Sequence, residues 1–483
     1  MEKVLTAYGP ALGSVRDGYT AFLGIPFAEA PVGALRFAPP QEAKAWTGER
    51  VFDRFGPAPV QTQRPDETPI DMSEDCLYLN VYTPAESPCE RLPVLFWIYG
   101  GGFARGSAAD PEFDGAAICR GGAILVTANY RANIFGFFAH PEQKKRFGSS
   151  LNLGTLDQLA ALRWVKDNIA AFGGDPDRIT VFGQSAGGVS VRMLLTSPLA
   201  EGLFSRAIVQ SGGGLNEADP FLTEDEYAGF CAQCMDALGW SYEDMMTRDA
   251  KEICAATEKA AMQVVGGFRP GFFQPFIDGV TVTEVPGKLI ARGEYADVPV
   301  LCGSVAGDSW MFSRLVREQL GDNISLLRGF ALSPSQAWAR HAVRTGRRPL
   351  HTYFFDRTQP KQSAGFMRHG APLFGGDTPH SSELPYIFGT LKSKEDLRHI
   401  QFDPEDFALS ELMTACWVNF AATGDPNGEG LPDWPAYTED APLTMHFGDG
   451  VTAAENVVLT EDENRAVEHT IRCPGMLDSV EGL

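Results

Sequence analysis

Short apolar runs that end in glycine or in a turn punctuate this chain. Leu92–Tyr99 leads into Gly100-Gly101-Gly102, Ala123–Ala128 into Asn129-Tyr130, and Arg178–Phe182 into Gly183. Ala207–Gln210 precedes Ser211-Gly212-Gly213-Gly214, and Val298–Cys302 precedes Gly303. These runs are apolar at successive positions, so both of their faces must be buried, which is the pattern of parallel strands covered by helices. Helical patterns lie between them. In Thr155–Phe172 the residues Leu156, Leu159, Leu162, Val165 and Ile169 recur at steps of three and four. Thr155 is a candidate cap for that helix, and Gly173-Gly174-Asp175-Pro176 is its stop signal. The residues after Ser185, AGGVSVRMLL, also suit a helix. Strand–helix alternation predicts an α/β fold, with a central, mostly parallel sheet and helices on both faces.

Residues 1–60 read differently, as short segments divided by Gly and Pro, and are expected to form a small antiparallel edge plus loops. Residues 310–370 have weaker periodicity and are read as a candidate helical cap over the sheet edge. No repeat, low-complexity tract or linker divides the chain, so residues 1–483 are read as a single domain.

The net charge of −22 makes partners with phosphate backbones or anionic lipid surfaces poor candidates. No apolar run reaches the ~18 residues of a membrane span, and no signal peptide is recognised at the start. Nine cysteines, an odd number and scattered, cannot form a complete disulfide framework. A reducing, cytoplasmic setting is expected. Cys231 and Cys234 form a lone C-x-x-C on a helical pattern without a second ligand pair, so they read as buried helix cysteines. H-E-x-x-H is absent, and neither metal nor cofactor is expected.

The chemistry centres on Gly183-Gln184-Ser185-Ala186-Gly187, a G-x-S-x-G motif. It follows the β-rich run RITVF and opens a helix, the strand–turn–helix context of a nucleophile elbow in α/β-hydrolases. A serine hydroxyl is a weak nucleophile at neutral pH and needs a base, oriented in turn by an acid. The helix start after Ser185 makes the Ala186 N–H a natural oxyanion donor. Gly100-Gly101-Gly102-Phe103 follows a buried strand, and such a loop supplies the other donors.

The base should follow the serine in the chain, and the acid should lie between them after a strand. His380, in the turn-rich Gly375–His380, is favoured only modestly over His369 by composition. Asp308 and Asp278 are the candidate acids, both after apolar runs.

At this point the chain resembles the type B carboxylesterase family, the carboxylesterase/cholinesterase group, and in particular its bacterial p-nitrobenzyl-esterase-like branch. The resemblance runs from about Phe22 to about Tyr437. It rests on Gly24-Ile25-Pro26-Phe27-Ala28, Ser73-Glu74-Asp75-Cys76-Leu77-Tyr78-Leu79-Asn80, Trp97–Phe103, Phe172–Pro176, Phe182–Gly188, Gln210-Ser211-Gly212 and Thr423-Gly424-Asp425-Pro426. The family's histidine motif matches His380–Gly389, which selects His380, and its acid block matches Gly303–Phe312, which places the acid at Asp308. The family mostly has glutamate there, followed by glycine; this chain has Asp308-Ser309, so the shorter acid requires its loop to come closer to His380.

The resemblance further implies an oxyanion hole of Gly101, Gly102 and Ala186, and supporting positions for Ser211 and Gln184 behind the catalytic groups. Secreted relatives pair the cysteine at Cys76 with one upstream; here Pro59 takes that place, so Cys76 is expected to be free. No aromatic lies between Pro59 and Cys76 and Gln184 precedes the serine, both unlike cholinesterases, which speaks against a choline ester.

The sequence therefore predicts a serine hydrolase of small carboxylic esters, acting through an acyl-enzyme on Ser185 as a monomer or small homo-oligomer. A non-catalytic interaction protein on the same fold is the alternative, as is a hydrolase of amides or lactones. Phe103, Trp310, Met311, Phe312 and Phe272–Phe276 are candidates to line an apolar pocket.

Overall fold

The apolar runs become the inner strands of one eleven-stranded sheet. A computed structural model describes residues 2–63, 70–217, 221–266, 272–311, 324–360, 378–398, 401–449, 454–472 and 475–476. The sheet strands are β1 (Ser14–Arg16), β2 (Tyr19–Pro26), β3 (Tyr78–Thr83), β4 (Leu92–Ile98), β5 (Ile124–Ala128) and β6 (Gly174–Gln184). β7 (Arg206–Gln210), β8 (Val300–Val305), β9 (His351–Phe355), β10 (Thr444–Phe447) and β11 (Ala454–Val457) complete it. Their spatial order is β11-β10-β9-β8-β7-β6-β4-β5-β3-β2-β1. From β10 to β5 every pairing is parallel, and both margins are antiparallel.

Consecutive residues of β4, β5 and β8 are buried, so both sheet faces are covered. The covering helices include α1 (Leu153–Asn168), α2 (Ala186–Thr196), α3 (Glu224–Leu238), α4 (Ala250–Val265), α5 (Ile324–Arg344), α6 (Pro404–Thr423) and α7 (Glu461–Arg472). α2 packs on β6 and β7, α6 on β4 and β6, and α5 on β8, β9 and α7. No helix among the described residues is long and apolar enough to cross a membrane.

Chain order reverses beside β4. β5 lies on one side of β4, and the next sheet strand, β6, lies on the other. Open α/β sheets form their binding crevice at such a switch point, beyond the carboxyl ends of the strands. Gly100–Gly102 leave the end of β4 and Ser185 leaves the end of β6, so the topology alone brings the two main motifs together.

Some boundaries differ from the sequence expectation for identifiable reasons. Helix α1 starts at Leu153 with Asn152 before it, and Thr155 lies buried inside. Strand β8 runs through Gly303 instead of ending there. Gly303 is a close approach, since a Cβ there would lie 2.2 Å from the Tyr353 ring. The N-terminal region forms a sheet of Lys3–Thr6, Gly9–Leu12 and Arg50–Val51, while β1 and β2 add antiparallel strands to the main sheet. Within 310–370, residues 312–323 and 361–370 lie outside the described residues. The described part is not only helix over an edge. It holds α5 and then β9, a strand between β8 and β10.

Candidate active site

Ser185 sits at the tightest point of the strand-to-helix turn. Its backbone has φ 58° and ψ −125°, a conformation costly for a residue with a Cβ, about 1–3 kcal/mol. The surrounding chain leaves no choice. A Cβ on Gly187 would lie 1.9 Å from the Ile98 carbonyl oxygen, and one on Gly183 would lie 2.5 Å from Gly187. The Ser185 N–H donates to the Gln210 carbonyl at 2.9 Å, tying the turn to the end of β7. As first residue of α2, Ala186 has an N–H without an intrahelical acceptor.

The glycine loop after β4 lies directly against this turn. A Cβ on Gly100 would be 2.6 Å from the Gln184 carbonyl oxygen and 3.0 Å from the Ser185 Cβ. Gly101 and Gly102 follow with φ 109° and 64°, and Phe103 with 58°.

Asp308 lies in a short 3-10 turn, Ala306–Met311, immediately after β8. Its Oδ1 accepts from His380 Nδ1 at 2.6 Å, and its Oδ2 accepts from the Val305 N–H at 3.0 Å. The bond at Nδ1 places that proton between ring and acid, which makes Nε2 the accepting nitrogen of the ring. Nε2 meets the Gln184 amide nitrogen at 3.2 Å, so this edge of the imidazole faces the elbow. Asp278, the rival acid, is far from this task. It accepts from the N–H groups of Val280, Thr281, Val282 and Asn152 and serves its own turn. His369 lies outside the described residues.

Gly307 lets Asp308 come close to His380. A Cβ there would lie 2.5 Å from the Thr378 carbonyl oxygen and 2.9 Å from the His380 nitrogen. The acid loop therefore abuts the histidine loop backbone to backbone, which closes the gap an aspartate leaves. Thr378 Oγ1 in turn donates to the Arg357 carbonyl at 3.1 Å, anchoring the histidine loop near the end of β9.

Ser211 has φ 48° and is buried, with its N–H donating to the Gly303 carbonyl at 2.8 Å. Its hydroxyl finds no partner among the described residues. Sequence reasoning missed Glu383, three residues after His380 and fully buried. The Gln210 side chain lies beside it, yet neither carboxylate oxygen completes a hydrogen bond of normal geometry among the described residues. Burial, and next the Asp308 charge, push its carboxyl up to about 7. The available signal was a glutamate directly before the apolar run Leu384–Phe388 that continues the histidine motif.

Burial alone would lower the His380 pKa, but the charge and hydrogen bond of Asp308, with a contribution from Glu383, outweigh it and raise it above the ordinary imidazole value.

The candidate pocket aromatics divide. Phe272, Phe273 and Phe276 are buried core. Phe276 stacks on Tyr227 and Phe273 meets Phe230, both on α3. Phe103 is buried edge-on against Phe137. The side chains of Trp310, Met311 and Phe312 lie outside the described residues. Cys231 and Cys234 are buried on α3. All eight described cysteines, Cys76 included, are free. No group of His, Cys, Asp and Glu among the described residues could hold a metal ion.

Comparison with known proteins gives a consistent picture. A sequence profile described as the Carboxylesterase family matches residues 1–330 and 328–465. A para-nitrobenzyl esterase of Bacillus subtilis (strain 168) is 32% identical, over 93% of this chain and 95% of its own. A fumonisin B1 esterase of Sphingopyxis macrogoltabida is 35% identical, over 92% of this chain and 86% of its own. Among solved structures, a thermophilic PNB esterase superposes with a TM-score of 0.80 at 31% identity, covering 96% of this chain and 99% of that one. A Geobacillus stearothermophilus carboxylesterase gives a TM-score of 0.77 at 33% identity, covering 96% and 100%.

Proposed function

The chain belongs to the carboxylesterase family and is a serine hydrolase of carboxylic esters, and from that premise we propose that Ser185 is its nucleophile, His380 its general base and Asp308 the acid that orients the base. The observation that carries this assignment is the 2.6 Å bond between Asp308 Oδ1 and His380 Nδ1, with Nε2 turned to the elbow.

His380 Nε2 takes the proton of the Ser185 hydroxyl as its oxygen attacks the ester carbonyl carbon. The carbonyl oxygen, now negative, is held by the N–H groups of Gly101, Gly102 and Ala186. The imidazolium is stabilised by Asp308 and returns its proton to the leaving alcohol. Water then attacks the acyl-enzyme with His380 again as base, releasing the acid and restoring Ser185. The reaction needs no group beyond these side chains and backbone donors. The eight free cysteines are consistent with a reducing, cytoplasmic setting, since no disulfide among them supports the fold.

Diethyl p-nitrophenyl phosphate provides the direct test. The expected result is a single diethylphosphoryl group per chain, found by peptide mass spectrometry on the fragment containing Ser185, with complete loss of esterase activity. Labelling elsewhere, or full activity after Ser185 is labelled, would overturn the assignment.

The pH profile follows from the same geometry. The base must be neutral to act, and its pKa is raised, so the acid limb of kcat/KM should lie above the ordinary imidazole value of about 6.5. Ionised Glu383 favours the imidazolium. Glu383→Gln removes that negative charge, so the acid limb should move to lower pH. Because Glu383 itself titrates at about 7, the wild-type limb should also be broader than a one-proton curve, and the variant's should not. An unmoved or upward-shifted limb in the variant would sink this account.

A further inference from the structure

The loop that carries Gly101 and Gly102 contains more backbone strain than its glycines can absorb. Three successive residues, Gly101, Gly102 and Phe103, have φ of 109°, 64° and 58°. For Phe103, which has a Cβ, a left-handed conformation costs about 1–2 kcal/mol. Such conformations persist only where the surroundings over-determine them.

Two residues from outside the loop do this. The Asn133 N–H donates to the Phe103 carbonyl at 2.6 Å, and its Nδ2 donates to the carbonyls of Val60 at 2.7 Å and Ala104 at 3.2 Å. Gln61 makes a tighter clamp. Its Nε2 donates to the Gly106 carbonyl at 2.9 Å, and its Oε1 accepts from the Gly106 N–H at 3.0 Å. One amide thus satisfies both polar groups of one backbone residue, as a neighbouring strand would. The same Nε2 donates to the Pro59 carbonyl at 3.0 Å.

Gly106 is the right place to hold. A Cβ there would lie 2.4 Å from the Tyr99 ring and 3.0 Å from the Gly100 carbonyl oxygen, and Gly101 is equally tight against the Arg105 carbonyl. The returning arm of the loop therefore presses on the arm that bears the oxyanion donors.

The base of the clamp is also fixed. Ala58–Pro59 pairs with Met72–Ser73, and the Thr62 hydroxyl lies 3.7 Å from Cys254 Sγ on α4. Cys76 is free, so hydrogen bonds close this segment without a covalent link.

We infer that Gln61 is a positioning residue for the oxyanion hole: its amide fixes Gly106 and thereby holds the Gly101 and Gly102 N–H groups where the transition-state oxygen will be. The inference rests on the reading that those N–H groups bind the oxyanion. Gln61 touches no reacting atom, and its effect is on geometry, where an error of about 1 Å can cost a factor of about 10² in rate.

The test compares wild type with Gln61→Ala, Gln61→Met and Gln61→Glu on p-nitrophenyl butyrate, with rates normalised to the serine titrated to completion by diethyl p-nitrophenyl phosphate. An alkyl trifluoromethyl ketone, which forms a tetrahedral adduct, is measured beside its methyl ketone. Gln61→Ala and Gln61→Met should lower kcat about 10- to 100-fold with KM changed by less than about threefold, since only transition-state contacts are lost. Trifluoromethyl ketone affinity should fall by the same factor as kcat/KM. Gln61→Glu keeps the acceptor for Gly106 N–H but turns its second oxygen onto the Gly106 and Pro59 carbonyls, so it should lower kcat at least as far as the other two. Should the alanine variant not fold, the other two preserve side-chain volume and carry the test.

A folded variant with kcat within about twofold of wild type, or a change confined to KM or to thermal stability, would overturn the inference. Wild type that binds the trifluoromethyl ketone no better than the methyl ketone would instead overturn the oxyanion reading on which it rests.

Discussion

Ser185→Ala is expected to lower kcat for p-nitrophenyl butyrate by a factor of about 10⁶, leaving the protein folded. The size of the loss follows from the chemistry. Without the hydroxyl no acyl-enzyme can form, and what remains is catalysis by the oxyanion donors acting on attack by water, about 10³–10⁴ over the uncatalysed reaction. The fold should tolerate the change because alanine keeps the Cβ, and the strained backbone at φ 58° is imposed by Gly183, Gly187 and the Gln210 carbonyl. No hydrogen bond among the described residues uses Ser185 Oγ, so thermal stability should be nearly unchanged. Steady-state kinetics and a thermal melt on the same preparation check both halves. Turnover within about tenfold of wild type would remove Ser185 from the mechanism.

Asp308→Asn should cost about 10⁴ in kcat, because an amide cannot replace the carboxylate in either of its two orientations. Oδ2 accepts from the Val305 N–H and Oδ1 from His380 Nδ1. With its oxygen toward Val305, asparagine presents its NH2 to Nδ1, which drives the imidazole to the tautomer protonated at Nε2 and removes the base. With its oxygen toward His380, it sets NH2 against a backbone N–H inside a buried turn. Loss of the carboxylate charge should also carry the acid limb of kcat/KM to lower pH, further than Glu383→Gln does, since Asp308 is the larger of the two charges holding the His380 pKa up.

Asp308→Glu should fall short of wild-type activity. The loop at Gly307 already abuts the Thr378 and His380 backbone, so a side chain longer by a methylene overshoots His380 Nδ1 unless the loop withdraws. Wild-type rates in Asp308→Asn would remove the acid from the mechanism; wild-type rates in Asp308→Glu would refute the close-approach argument.

The parts of this protein legible in the chain are those written in local pattern. Buried strands such as Leu92–Ile98 announce themselves because a strand covered on both faces is apolar at every position. The elbow at Ser185 announces itself because so sharp a turn demands glycine at 183 and 187, whatever surrounds it. Boundaries were less legible. Gly303 reads as a strand end, yet β8 continues through it, because that glycine answers to the Tyr353 ring from a strand distant in sequence.

His380 and Asp308 illustrate the same limit. Composition favours His380 only modestly over His369 and does not single out Asp308, so it took the resemblance to select both. Their partnership is made by the end of β8, the loop beyond β9 and the absent side chain of Gly307. Glu383 and Gln61 escaped notice because a lone glutamate and a lone glutamine are ordinary residues in a sequence. One becomes a group that titrates near neutrality only through burial beside Asp308. The other becomes a clamp only when the fold lays Gly106 across its amide.

By itself, then, the sequence determined the α/β class, the elbow, the glycine loop and the charge balance, since each is a matter of near-neighbour sterics or composition. Tertiary structure alone decided which aspartate meets which histidine, how its loop comes close enough, which carboxyl is forced toward neutrality and what restrains the glycine loop. Those are contacts between elements far apart in the chain, and their energies come from burial and close approach, which no local window of residues contains.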